Sequence, residues 1–291
     1  MTSIIKYIKY LRWNLKWFRY PGKPLRKVIR LLRPSTSIET ETVGTATSSE
    51  HLIENAWDKI CLPDVGFSLD RRHLRLAGDI GGSASFVDVS GLYAAELNKC
   101  VAAILSDNTV TQRIYDYFLG EQPWLWNAAL NYSIPKKGMS DSQFWHFDYG
   151  DSKQLHLFYY VTDVSEKSGP FSFMSKQISA GIDRNSMLVE RLTDEDLLDK
   201  YLIDANDKKQ LTGMSGELYF ADPGVLLHQG ARCSVERTVL FITLTTSTPY
   251  SLGGRSTMTT SARHDLYSAY NSVLLEESSR ALLFTKEFFF K

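Results

Sequence analysis

Cysteine is scarce in this chain. There are three in 291 residues, Cys61, Cys100 and Cys233, an odd number and widely scattered. That excludes a disulfide-dense scaffold and a zinc site of Cys-x-x-Cys type, and it points to a reducing compartment. Long apolar runs are missing too: no uncharged stretch is long enough to span a bilayer, and charges interrupt any signal-peptide core. No phosphate-cradling glycine-rich loop and no nucleophile elbow can be found. Acid is absent from residues 1–33, which carry ten Lys or Arg. Since the whole chain has 33 basic and 33 acidic residues, the remainder has 23 basic against 33 acidic. A net charge of zero therefore conceals a basic arm on an acidic body.

The arm reads as a helix. Ile4, Ile8, Leu11, Leu15 and Phe18 form one apolar stripe, flanked by Lys9, Arg12, Lys16 and Arg19 and by several Trp and Tyr. Such a face suits an anionic lipid surface. Docking on the protein's own body or on a partner is the plainer alternative. An acidic body opposes wrapping a nucleic acid, and none is expected as a partner. "YPGKP" breaks the helix at 20–24, and residues 34–50, rich in Ser, Thr and Glu, read as a linker. The expected division is thus a basic amphipathic segment over 1–33, a linker over 34–50 and one domain over 51–291.

The body begins with helical patterns. Residues 89–107 place Leu92, Leu97, Val101 and Ile104 or Leu105 at helical spacing, and 109–120 reads as a second helix. Short aromatic and β-branched runs follow: "WLWNAALNYSIP", "SQFWHFDYG", "QLHLFYYVTDV", "GPFSFM", "GELYFADPG" and "ERTVLFITLTTSTP". "TDEDLLDKYLI" reads as a short helix on an insertion, with 178–213 as a lid candidate by position, and the C-terminal stretch returns to helix. Runs of helix, then strand, then helix argue against a parallel doubly wound sheet and for an α+β fold.

Within "SQFWHFDYGD", His146 and Asp148 stand two apart, so on a strand they face one space. Chance alone gives ~0.4 such pairs in a chain of this composition. Further on, "GELYFADPGVLLHQGARCSVERTVLFITLTT" has a strand ending near Asp222, a Pro223-Gly224 turn, His228, and Arg237 opening a strongly patterned strand. Two histidines and a carboxylate form the facial triad of non-haem iron(II) sites, with coordination positions left open. A 2-oxo acid can take two of them, and a buried Arg can grip its far carboxylate bidentately. Arg237 is the natural residue for that grip and Arg232 the second choice. Asn131 is a candidate contact for the same co-substrate. His156 could line the pocket or pack in the core. Trp145 and Tyr149 alternate away from the ligands and read as core. Lys136, Lys137 and Lys153 could meet an anionic substrate or stay solvated. His51, His73 and His264 have no partner pattern.

These elements, "HFD" (146–148), "YYVTDVSEKSGPFSFMSKQ" (159–177), "GELYFADPGVLLHQGA" (216–231) and "ERTVLFITL" (236–244), resemble in order and spacing the Fe(II)/2-oxoglutarate dioxygenases, specifically the phytanoyl-CoA dioxygenase-like branch. The resemblance covers about residues 125–250; "MSKQIS" departs from the family's Gly-Ser-His-like loop. It implies a double-stranded β-helix (a jelly-roll, cupin-like core) flanked by helices. It also implies iron on His146, Asp148 and His228, and 2-oxoglutarate on Arg237. Asp148 speaks against the halogenating variants. The cofactors implied are Fe(II), 2-oxoglutarate as co-substrate and O2, with ascorbate as a stimulant. With its basic arm the layout is similar to the Kdo hydroxylases, which implies a lipid A-linked sugar acid as substrate and a cytoplasmic location, peripheral on the inner face of the cytoplasmic membrane. A soluble small molecule or an acyl chain is the alternative substrate, and a non-catalytic β-barrel adaptor the alternative class. The oligomeric state is open.

Overall fold

The computed structural model describes residues 49–245 apart from 63–66, 68, 71–73, 76–85, 121–122, 137, 140, 149–150, 152, 183–190 and 231. The basic arm, all but the end of the linker, the C-terminal helical stretch, His73, His264, Lys137 and Tyr149 lie outside the described residues. No helix among those described is long and apolar enough to cross a membrane.

The elements run in the order α1 (Glu50–Asn55), β1 (Trp57–Cys61), β2 (Phe86–Asp88), α2 (Ala94–Ser106), α3 (Asn108–Tyr117), β3 (Trp124–Ser133), β4 (Gln154–Tyr160), β5 (Ser172–Phe173), α4 (Lys176–Ala180), α5 (Asp194–Tyr201), β6 (Lys209–Gln210), β7 (Glu217–Ala221), β8 (His228–Gln229) and β9 (Arg237–Thr245). Strands β1 and β2 stand among the leading helices, and the other seven follow α3 with α4 and α5 between them. A large antiparallel sheet has the order β1-β7-β4-β9-β3-β2, and a small one the order β6-β5-β8. A bridge from His146 to His228 adds His146 beside β8, while Trp145 bridges Leu192. From β3 onward the chain crosses between the sheets at nearly every step. It goes from β3 (large) to 145–146 (small), β4 (large), the β5–β6 pair (small), β7 (large), β8 (small) and β9 (large).

Period-two alternation gives the large sheet two faces. Leu240, Ile242 and Leu244 of β9, Leu155, Leu157 and Tyr159 of β4, and Leu218 and Phe220 of β7 pack with Leu97, Val101, Ile104, Val110 and Ile114 of α2 and α3. Each such apolar side chain contributes about 1.5–3 kcal/mol on burial. The opposite face meets the small sheet, where Phe158, Tyr219, Val239 and Phe241 pack with Phe171 and Phe173. A third cluster, with Trp145, Phe147, Met174, Leu197 and Leu227, fills the space on the far side of residues 145–148 under α4 and α5.

Three expectations change. Leu92 is 57% exposed and lies in a 3-10 turn before α2, so the buried stripe starts at Leu97. "SQFWHFDYG" is not a strand along its length; only Trp145 and His146 make bridges. Trp145 and Phe147 answer to the third cluster rather than to a sheet, which the local pattern cannot distinguish. The region after residue 51 also holds a strand, β1, whose inward positions are Asp58 and Ile60. Asp58 is buried in an ion pair with Arg113 of α3 at 2.6 Å, and this acid hides the apolar alternation.

Candidate metal centre

His146 and His228 face each other across the edge of the small sheet. Each backbone N–H donates to the other's carbonyl at 2.9 Å. This doubly bonded pair brings the two side chains to the same side, with ring centroids 4.2 Å apart. Asp148 follows on a stretch held by its own N–H donating to Pro223 O at 2.9 Å. The Pro223-Gly224 turn is in turn fixed by Asp222, whose Oδ1 accepts from Gly224 N and Val225 N and whose Oδ2 accepts from the buried Tyr117 hydroxyl. The result is three ligand atoms, one per residue, all within 4.8 Å of one another. His146 Nε2 and Asp148 Oδ1 are 3.6 Å apart. Among the described residues no other group of His, Cys and acidic side chains gathers in this way.

The tautomers suit a cation. His146 Nδ1 lies 2.7 Å from Phe144 O, and His228 Nδ1 lies 3.0 Å from Leu226 O. A carbonyl can only accept, so each Nδ1 carries the proton and each Nε2 keeps its lone pair. Phe171 stacks on the His228 ring at 4.8 Å and fixes its plane. Burial and the neighbouring His228 push His146 down to about 3. Burial also lowers His228, against the pull of Asp148. Burial alone would raise the Asp148 carboxyl, but His228, His156 and His146 outweigh it and hold it below its ordinary value. Neutral imidazoles and an ionised carboxylate are the forms a divalent cation binds.

Gln154 and His156 extend the cluster. One amide nitrogen, Gln154 Nε2, lies 3.2 Å from Asp148 Oδ2 and 2.7 Å from His156 Nε2. His156 Nε2 is itself 3.5 Å from Asp148 Oδ2. Burial pushes His156 down to about 4, so it is neutral and can accept from the amide. His156 is thus neither plain core packing nor a residue open to solvent; it stands beside the carboxylate.

Arg237 opens β9 on the face turned toward the small sheet, level with Ser133. Arg237 is half-buried, its Nε is shielded from water without a hydrogen-bond partner, and no carboxylate pairs with it among the described residues. Burial lowers its pKa, while Tyr160 and Cys233 act to hold its proton. A dicarboxylic acid fits such an orphan, since one carboxylate would supply the missing acceptor and the missing charge. Asn131 is on the same face, level with Val239 and, across β9, with Tyr160.

Arg232 is differently engaged from the role of carboxylate grip. Its Nε donates to Gln143 O at 2.7 Å, and its Nη1 donates to both oxygens of Asp194, at 2.9 and 2.7 Å. Asp194 also accepts from Trp145 Nε1 at 2.7 Å. Arg232 therefore clamps the segment leading into His146, with its charge already answered by Asp194. Lys153 donates to Tyr117 O at 2.6 Å and packs on the Tyr117 ring, so it is not turned to a substrate. His51 makes a local contact with Trp57 O at 2.8 Å.

Sequence reasoning missed Gln154 and Asn127. Asn127 lies opposite Thr243, which lies opposite His156, so all three share one row of the inner face. Its Oδ1 is buried without a partner. Both residues sit at inward period-two positions, Gln154 with His156 and Asn127 with Asn131, and that alternation was the available signal.

No protein-family model matches the chain, and no curated protein matches it. Solved structures to which the chain is similar include HygX from Streptomyces hygroscopicus with iron bound, 12% identical, with 71% of this chain and 88% of that one covered at a TM-score of 0.46. EvdO2 from Micromonospora carbonacea var. aurantiaca, complexed with 2-oxoglutarate, is 16% identical, with coverage of 70% and 93% and a TM-score of 0.40. The non-haem α-ketoglutarate-dependent carbocyclase SnoK from nogalamycin biosynthesis is 12% identical, with coverage of 73% and 86% and a TM-score of 0.41. Likenesses this distant assign no activity.

Proposed function

We propose that the protein is an Fe(II)- and 2-oxoglutarate-dependent oxygenase on a double-stranded β-helix, hydroxylating an unactivated C–H bond. The observation that carries this reading is the triad: two buried imidazoles with Nε2 freed because Nδ1 is bonded to the Phe144 and Leu226 carbonyls, beside an ionised carboxylate. His146, Asp148 and His228 would hold the metal, and Arg237 the far carboxylate of 2-oxoglutarate. When bound, iron and 2-oxoglutarate supply, with dioxygen, a decarboxylation to succinate and CO2 that yields an oxidant able to attack a C–H bond. The chain's own contribution is orientation and exclusion of water. Gln154 holds the second oxygen of Asp148, Phe171 fixes the His228 ring, and Phe158 and Phe241 beside His156 keep the inner face apolar. Asn127 and Asn131 offer amides along the path from the triad toward Arg237.

For the substrate, the support is the sequence of residues 1–33. A basic, aromatic-rich stripe fits delivery at an anionic membrane surface, and a lipid-linked sugar acid such as the Kdo of lipid A is the specific candidate we infer. An acyl chain and a soluble small molecule are the competing substrates. Anaerobic addition of Fe(II) and 2-oxoglutarate should give the weak visible charge-transfer band of a bidentate 2-oxo acid. His146→Ala and Asp148→Ala should each abolish that band and succinate formation. A band retained in either variant refutes the site. Mass spectrometry of host lipids with and without the protein, scanned for the gain of one oxygen atom, tests the substrate reading separately.

A further inference from the structure

Residues 145–146 have a neighbour on each side. On one side His146 exchanges backbone hydrogen bonds with His228. On the other, Trp145 N–H donates to Leu192 O at 2.8 Å, and Leu192 N–H donates to Trp145 O at 3.1 Å. This second bridge is antiparallel. One step along it, Arg191 stands opposite His146, in the closer, non-hydrogen-bonded kind of pair. Trp145 and Leu192 both belong to the third apolar cluster, so alternation turns His146 and Arg191 to the other face. Phe173, His228, His146 and Arg191 thus form one row across the small sheet, on the side of the large one.

Electrostatics agree with this placement. The Arg191 charge helps to lower His146, His228 and Asp148. His156 is acted on by Asp148 and His228 instead. Arg191 therefore lies beside the triad, away from His156 and its neighbour Gln154. Arg237 is on another flank. Its charged neighbours are Tyr160 and Cys233, and Tyr160 packs with Phe171, the residue stacked on the His228 ring. Arg237 stands beyond His228 and Arg191 beyond His146, so the two bracket the triad. His146 is 5% exposed, whereas Arg191 is open to solvent and within reach of an incoming molecule.

We propose that Arg191 receives an oxyanion of the substrate, a carboxylate or a phosphate, beside the metal. The inference rests on the oxygenase reading and narrows its substrate to an acid. A divalent ion and Arg237 are balanced by Asp148 and the two carboxylates of 2-oxoglutarate, so metal and co-substrate call for no second arginine. A planar fork facing the open side of the triad matches either oxyanion with two parallel hydrogen bonds. Holding the acid at Arg191 fixes one end of the substrate next to His146, and the carbon to be attacked then lies a short way along the molecule from its acidic group. A neutral substrate gains nothing from this residue.

Proton-relaxation NMR on the full chain, loaded with Mn(II) and saturated with 2-oxoglutarate, tests the proposal. The probes are glucuronate, glucose 6-phosphate and glucose. Mn(II) accepts nitrogen and oxygen donors as Fe(II) does, and it speeds the relaxation of protons close to it. At least one of the two anions should be relaxed and glucose should not, and the anion that responds separates a carboxylate from a phosphate. Arg191→Gln should weaken binding of that anion about tenfold. Arg191→Lys should weaken it less, since the charge stays and only the fork is lost. His146→Ala controls for relaxation by unbound Mn(II). Glucose relaxed as strongly as the anions, neither anion relaxed, or an anion affinity unchanged in Arg191→Gln would overturn the assignment. A loss of 2-oxoglutarate affinity of about tenfold in Arg191→Gln would overturn it too, by giving the residue to the co-substrate. A wild-type protein that fails to hold Mn(II), seen as no enhancement of water-proton relaxation, would sink the oxygenase reading along with this one. Mn(II) and 2-oxoglutarate bound without a response to Arg191→Gln would sink this one alone.

Discussion

Gln154 illustrates how one side chain can set the chemistry of another. Its amide nitrogen holds Asp148 Oδ2, and Oδ1 is left on the side of His146. Gln154→Leu keeps the volume but releases the carboxylate, so metal affinity should fall roughly 10–100-fold, read by titration with Fe(II) or Co(II) under argon. Arg237→Gln should raise the 2-oxoglutarate concentration needed for half-maximal succinate formation at least tenfold, on the order of the charge-assisted bonds lost. Arg237→Lys should recover only part of that, because an ammonium lacks the planar fork. A concentration dependence unchanged in both variants would remove Arg237 from the role. That His146, Asp148 and His228 come together was legible because their types and spacing name a metal-binding set; Arg237 was singled out by its place at the head of a patterned strand. Gln154 was not, since a glutamine at the start of a strand is common, and only the fold brings residue 154 against residue 148. Asn131 stood out from its neighbours, but the row that contains His156 holds Asn127, and that depends on the register between β3 and β9.

At the level of elements, α3 is tied to the sheet edge by a buried ion pair. Arg113 and Asp58 meet at 2.6 Å, with side chains 4% and 13% exposed. Arg113→Ala leaves a buried carboxylate unanswered and should cost about 3–5 kcal/mol, seen as a lower urea midpoint. Replacing both partners by leucine should cost much less, and equal losses would contradict the pairing. The strands β3, β4, β7 and β9 could be read from their alternation because one face of each meets α2 and α3 or its apolar neighbours, and the other meets the small sheet. β5, β6 and β8 are two residues long, and such pieces exist through their pairing alone. β1 escaped notice for the opposite reason, since its key inward residue is the acid that binds Arg113.

For the molecule as a whole, buried neutral histidines set the response to acid. His146 and His156 are pushed down to about 3 and about 4, below the ordinary 6.5, and His228 is lowered as well. The unfolded chain then binds more protons than the folded one below pH ~6.5, so stability is full above that value and falls as pH drops toward the folded-state values. Asp148, also lowered, acts in the same direction at the acid end. The urea midpoint of the metal-free protein should therefore decline steadily from pH 7 to pH 4.5. A midpoint flat across that interval would mean the imidazoles are solvated. The strand order of the large sheet has a separate consequence, for biosynthesis. β3 and β4 do not pair with each other; both pair with β9, the last of the nine strands among the described residues to leave the ribosome. A nascent chain halted before residue 237 has the triad residues in hand but a gap in the middle of its principal sheet. Closure of this sheet must await β9, so its folding during translation is postponed until residues 237–245 emerge, and chains stalled or truncated before them present two open strand edges to whatever chaperone or neighbour is at hand.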